Sequence, residues 1–141
     1  MESIQIEKEE LLEIKKLINS ILGKSARGLF YSIGQIVGRN IARKAMDKDR
    51  EKFFNKANAI ILEKNIAEFM SFEGDIVTTK NCVEVLDEKK IASDANKCHI
   101  MRGLIVALYE AHQNKKRYCE EVECQSLGAD RCVFKIDKEM I

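Results

Sequence analysis

The sequence predicts an α+β domain in which a layer of about four helices packs on a small antiparallel sheet of about four strands. Two observations carry this. Amphipathic segments with helical periodicity fill the first half of the chain, and two strand pairs with one helix between them fill the second. A third observation bounds it: 141 residues, 45% apolar, 33% charged and without proline suit one domain with a real core (residues 1–141) and exclude a disordered chain.

In chain order, Ile4 to Leu22 sets Ile6, Leu11, Ile14, Leu17, Ile18, Ile21 and Leu22 on one stripe opposite charges, the pattern of an amphipathic helix. Gly23 closes it and Ser25 opens the next, Ala26 to about Met46. That helix holds Gly34 and Gly38 four residues apart. Interior glycines cost about 1 kcal/mol each against alanine, so a close neighbour is expected there. Gly23–Ser25 reads GKS but lacks the earlier glycine and the preceding strand of a phosphate loop. Lys48 to Met70 predicts a third helix. Asp75–Thr79 and Cys82–Leu86 read as short strands joined at Lys80–Asn81, and Cys98 to His112 as a fourth helix. Tyr118 to Ile136 alternates apolar and polar residues on both sides of Leu127–Asp130, a β-hairpin.

A formal net charge of +1 and the absence of a dense basic cluster argue against nucleic acid as a partner. Arg39, Arg43 and Lys44 fit a solvated helix face instead. The apolar runs are far short of the roughly 20 residues that cross a membrane. An N-terminus alternating charges with aliphatics, together with five cysteines, is expected of a cytoplasmic chain. Thiols there stay reduced and hold metal more often than disulfides.

Cys98, Glu121, Cys124 and Cys132 form a candidate four-ligand set, with twenty-two, two and seven residues between them. A hairpin brings Cys124 and Cys132 together, and Cys98 opens a separate helix; a zinc ion held this way clips tertiary elements to one another. Strict alternation puts Cys119, Glu121 and Glu123 on the strand face opposite Cys124, so Glu121 joins the set only through a bulge. Cys119, Glu123 and His99 are the alternatives to it. Buried cysteines also behave as small hydrophobes, and spacing leaves the two readings even. Cys82 reads as core, and His112 as a surface residue near a helix end.

Residues 98–136 resemble the 4-vinyl reductase domain family, through CHIMRG at Cys98–Gly103, EEVEC at Glu120–Cys124, Leu127–Gly128 and RCVF at Arg131–Phe134. Looser similarity extends back to Lys24, leaving residues 1–23 as an added helix. The resemblance implies helices packed on a small sheet, as in subunits of the TRAPP vesicle-tethering complex, and a cavity for a small hydrophobic molecule. Ligand-sensing domains of aromatic-catabolism activators are relatives, and their zinc ligands correspond to Cys98, Glu121, Cys124 and Cys132. Those phenol sensors use a tryptophan, which this chain lacks.

The expected function is therefore a zinc-containing binding domain for a small hydrophobic molecule. It would be a homodimeric sensor or carrier module signalling to a separate partner, with no catalytic residues. Candidate pocket residues are Phe30, Tyr31, Phe69, Phe72, Leu104, Tyr109 and Phe134, each on an apolar stripe that also suits plain core. An interaction scaffold without exchangeable ligand is the alternative. A tetrapyrrole vinyl reductase comes third, because no Gly-rich dinucleotide fingerprint is present.

Overall fold

The structure, a computed structural model, describes residues 3–86 and 94–137. Within them the order is α1 (Lys8–Leu22), α2 (Ala26–Ala45), α3 (Arg50–Glu63), β1 (Phe69–Glu73), β2 (Ile76–Lys80), α4 (His99–Gln113), β3 (Tyr118–Glu123) and β4 (Cys132–Asp137), with short 3-10 turns at Gly23–Ser25, Asp94–Asn96 and Gln125–Leu127. The four strands form one antiparallel sheet in the order β1-β2-β4-β3. The fold is α+β, as expected.

α4 is the axis of the core. Nine of its fifteen residues are buried, including Leu104, Ile105, Leu108 and Tyr109. It contacts β3 on one side and lies along α2 on the other. The glycines explain how closely α2 and α4 approach: a Cβ on Gly34 would collide with the backbone of Ile100, one on Gly38 with Leu104, and one on Gly103 with the Tyr31 carbonyl. Small residues on both helices let two backbones pass almost in contact. The close neighbour expected at Gly34 and Gly38 is thus α4.

The layer consists of three helices, α2, α3 and α4, rather than four. α1 touches little beyond the turn after it and the start of α2, and Lys15 is its only buried residue. Much of its apolar stripe (Ile14, Leu17, Ile21 and Leu22) is exposed. The helix starts at Lys8, not Ile4, where Glu7 and Glu10 form a reciprocal capping box.

The central region departs most from expectation. The third helix ends at Glu63, and Asn65 turns the chain through the left-handed region (φ 58°). Phe69–Glu73 then forms an edge strand, paired with β2 across the Gly74 turn. Cys82–Leu86 is not a strand. Its backbone folds into a turn in which Val85 N–H donates to the Cys82 carbonyl and Val83 N–H reaches back to Ile66. This frees the Glu84 side chain to point inward.

β3 and β4 follow the expected hairpin, including the irregularity that Glu121 requires. The register pairs Glu121 with Phe134 and Glu123 with Val133, leaving Val122 as the extra residue of a β-bulge. Val122 and Glu123 both face outward, so Glu121 and Cys124 come to the same buried side.

Candidate metal centre and aromatic recess

One ligand atom from each of Cys98, Glu121, Cys124 and Cys132 lies within 4.8 Å of the other three, and all four residues are buried. Cys98 sits at the N-cap of α4, Glu121 on β3, Cys124 just past the bulge and Cys132 at the start of β4. Cys119, Glu123 and His99 are outside this group. Cys119 is buried elsewhere on β3, and Glu123 is exposed, 3.8 Å from Arg131 Nη2.

The polar bookkeeping at this cluster is incomplete. Glu121 Oε1 accepts a hydrogen bond from the Cys98 backbone N–H at 2.9 Å, whereas its Oε2 is buried with no partner. Burial, then the neighbouring Cys124 charge, pushes the Glu121 carboxyl up to about 8. Hydrogen bonds from Cys132 and Cys98 hold the Cys124 thiol far below its usual range, while the same contacts raise Cys98 and Cys132. Gln125 N–H donates to Cys132 Sγ at 3.3 Å. Three thiols and an orphaned carboxylate oxygen converging in a dry site are the donor set of a thiolate-rich zinc centre.

Three neighbours of the cluster were not legible as such in the sequence. Cys82 Sγ lies 3.5 Å from Cys98 Sγ. Glu84, 1% exposed, groups with both cysteines, but its oxygens are already engaged. Oε1 accepts from Lys15 Nζ at 2.7 Å and Ile100 N–H at 2.9 Å, and Oε2 from Met101 N–H at 2.6 Å. Glu84 therefore caps α4 directly beside Cys98 and anchors α1 through a buried ion pair. Lys15 also lies over the Phe30 ring at 5.1 Å. No local pattern flags a contact between residues 69 positions apart.

The pocket candidates do not share one place. Phe30, Leu104 and Phe134 are fully buried core, and Phe69 is half exposed on the outer side of edge strand β1. Tyr31 lines a surface cleft with Arg102. Only Phe72 and Tyr109 meet, 6.4 Å apart, through Phe54, which lies 4.7 Å from Phe72 and 4.8 Å from Tyr109. Phe53 and His112 complete the cluster, their rings 4.8 Å apart. Arg50 covers it: its guanidinium lies 5.0 Å from Phe54 and 5.5 Å from Tyr109, and Nη2 donates to the Gly74 carbonyl. The Tyr109 hydroxyl donates to the same carbonyl at 2.8 Å. A recess of about 550 Å³, bordered by Arg50, Phe54, Asn58, Met70 and Phe72, opens over these rings.

Helices over a four-stranded antiparallel sheet, with a buried Cys–Glu–Cys–Cys cluster joining α4 to the last hairpin, define the class: this is the architecture of a 4-vinyl reductase domain. The family model of that domain matches residues 75–138, which contain all four cluster residues. An uncharacterized protein of Methanocaldococcus jannaschii is 27% identical over 131 residues, 89% of this chain and 67% of its own length. The phenol-responsive sensory domain of the transcription activator PoxR, solved with phenol, superposes with a TM-score of 0.71 at 16% identity, covering 95% of this chain and 75% of that one. A vinyl-4-reductase family protein from Methanocaldococcus jannaschii gives 0.60 at 18% identity, over 96% and 83%. At these identities the two structures show a shared fold. No helix among the described residues is long and apolar enough to cross a membrane.

Proposed function

We propose that this protein is a zinc-stabilised sensor or carrier domain for a small, largely hydrophobic molecule. The observation that carries the reading is the convergence of Cys98, Glu121, Cys124 and Cys132 within 4.8 Å, with Glu121 Oε2 buried and unpartnered. These four residues would hold the ion, which when bound supplies a structural cross-link between α4 and the β3–β4 hairpin. All four being protein donors, the centre is structural rather than catalytic.

The recess over Phe54, Phe72 and Tyr109 is the best-supported ligand site. Its rings offer flat apolar surface, and Arg50 is a side-chain lid held only by cation–π contacts and one carbonyl. The fold shared with a phenol-sensing domain supports the same reading. α4 joins the two sites, with Cys98 at its start and Tyr109 eleven residues on, roughly 16 Å along the axis. A ligand that shifts Tyr109 can therefore act on the metal-clipped hairpin through one rigid rod. Dimerisation belongs to this proposal too: the exposed Ile14, Leu17 and Ile21 of α1 offer an apolar stripe for a second copy. The same stripe favours the alternative of an interaction scaffold for a different protein.

Elemental analysis with native mass spectrometry, on wild type and Cys124→Ser, tests the reading. The expected result is about one zinc per chain in wild type, lost together with stability in the variant. A co-purifying mass of small-molecule size that Phe72→Ala releases would support the recess. Wild-type protein that binds no zinc, and melts identically with and without chelator, would refute the metal centre.

A further inference from the structure

A second cleft shares no residue with the Phe54–Tyr109 recess. It lies among the start of α2, α4 and β3, has a volume of about 380 Å³, and is lined by Lys24, Arg27, Tyr31, Arg102 and Tyr118 along with Ser25 and Gly28. Three of its side chains are cations and none is acidic.

Arg102 is the group that needs explaining. Its guanidinium lies 4.5 Å from the centre of the Tyr31 ring, and Nη1 donates to the Cys119 carbonyl at 3.2 Å. Nε is buried with no acceptor, and no carboxylate of the described residues pairs with the charge. Arg117 makes the contrast within the same protein: it is buried as well, but Asp75, Asp137 and Gln113 surround it. A partly desolvated guanidinium without an anion is costly, and its planar fork matches a carboxylate. Lys24 and Arg27 extend the positive potential to the rim, while the phenol rings of Tyr31 and Tyr118 present flat carbon surface beside it.

We propose that this cleft binds a small organic carboxylate with a flat apolar body, the carboxylate on Arg102 and the body against Tyr31 and Tyr118. One half-buried guanidinium in a recess this size suits a monoanion better than a phosphate dianion, which would call for more donors. The site also has a route to the rest of the domain. Arg102 is four residues from Cys98 on α4, and the carbonyl it holds belongs to β3, two residues before Glu121.

The test is site-resolved NMR of the full metal-loaded chain during titration with benzoate, and with benzyl alcohol as its neutral counterpart. The expected result is that benzoate shifts the Arg102 Nε–Hε signal and the Tyr31 and Tyr118 rings, and that benzyl alcohol at the same concentration does not. Affinity for benzoate should fall about tenfold or more in Arg102→Met, the loss expected for a bond to a charged group. It should fall less in Arg102→Lys and in the exposed variant Lys24→Ala. If Arg102→Met fails to fold, the latter two decide. An unmoved Arg102 signal, an equal response to benzyl alcohol, or unchanged affinity in both Arg102→Lys and Lys24→Ala would overturn the proposal. Neutral ligands in the other recess report on Phe72 and Tyr109, so either site can fail without the other.

Discussion

Replacing Glu84 with glutamine should detach α1 and loosen the start of α4. The carboxylate takes three donors at once: the Lys15 ammonium and the N–H groups of Ile100 and Met101. An amide of the same shape has one oxygen, and its NH2 must face either a helix N–H or the ammonium. Breaking a buried pair costs about 3–5 kcal/mol when the orphaned charge stays buried. Here Lys15 has an escape, because little else holds α1 to the domain. The helix can swing its lysine into water, so the loss should be set by the cap and the charge-assisted bonds, about 2–3 kcal/mol. Urea denaturation would measure it, and hydrogen exchange would locate it, with faster exchange at residues 8–22 and 99–102. Lys15→Met should cost less, about 1–2 kcal/mol, since Glu84 keeps both backbone donors. The double variant should show coupling of about 1 kcal/mol or more. A Glu84→Gln protein within about 0.5 kcal/mol of wild type, with α1 exchange unchanged, would refute the latch.

Gly34→Ala should destabilise the protein by about 1–3 kcal/mol in a thermal or denaturant melt, because its Cβ has only the Ile100 backbone to displace; helix propensity alone gives the opposite sign. Glu121→Gln should retain the fold but lower zinc affinity by about tenfold or more in a chelator competition, since it removes the anionic oxygen left unpartnered in the cluster. Burial raises the Tyr109 phenol above its usual value and takes Tyr31 up to about 12. Both then stay neutral in the folded state where the unfolded chain ionises near pH 10. Their contribution to stability is full below that pH and is lost as pH rises through the folded values. The phenolate absorbance missing from Tyr109→Phe should therefore appear only as far-UV circular dichroism collapses; a smooth rise near pH 10 in folded protein would contradict the burial.

The closing hairpin was legible because its signals are local: alternation on both strands, Gly128 in the turn, and the need of Glu121 for a bulge. The edge strand Phe69–Glu73 was not. Ile60, Ile61, Ile66, Phe69 and Met70 continue a helical spacing, and until Gly74 only Asn65 marks where the helix stops. Missing β1 shifted the first hairpin by one strand and made Cys82–Leu86 look extended. Glu84 and Lys15 were invisible for a different reason. Each resembles the solvated charges around it, and only tertiary packing sets them against the start of α4. The aromatic candidates failed in part because periodicity marks which residues are buried, not whether they meet.

The bulge at Val122 makes the hairpin intolerant of sliding. In a strand that alternates strictly, moving the pairing by one residue exchanges the two faces; here it would also split Glu121 from Cys124 and carry Cys132 away from both. Only one alignment of β3 against β4 brings all four donors together. A misaligned hairpin cannot capture an ion with that set, and a correctly aligned one is sealed by doing so. Metal uptake would then act as a proofreading step for strand pairing, separating correctly paired chains from slipped ones before either meets a ligand.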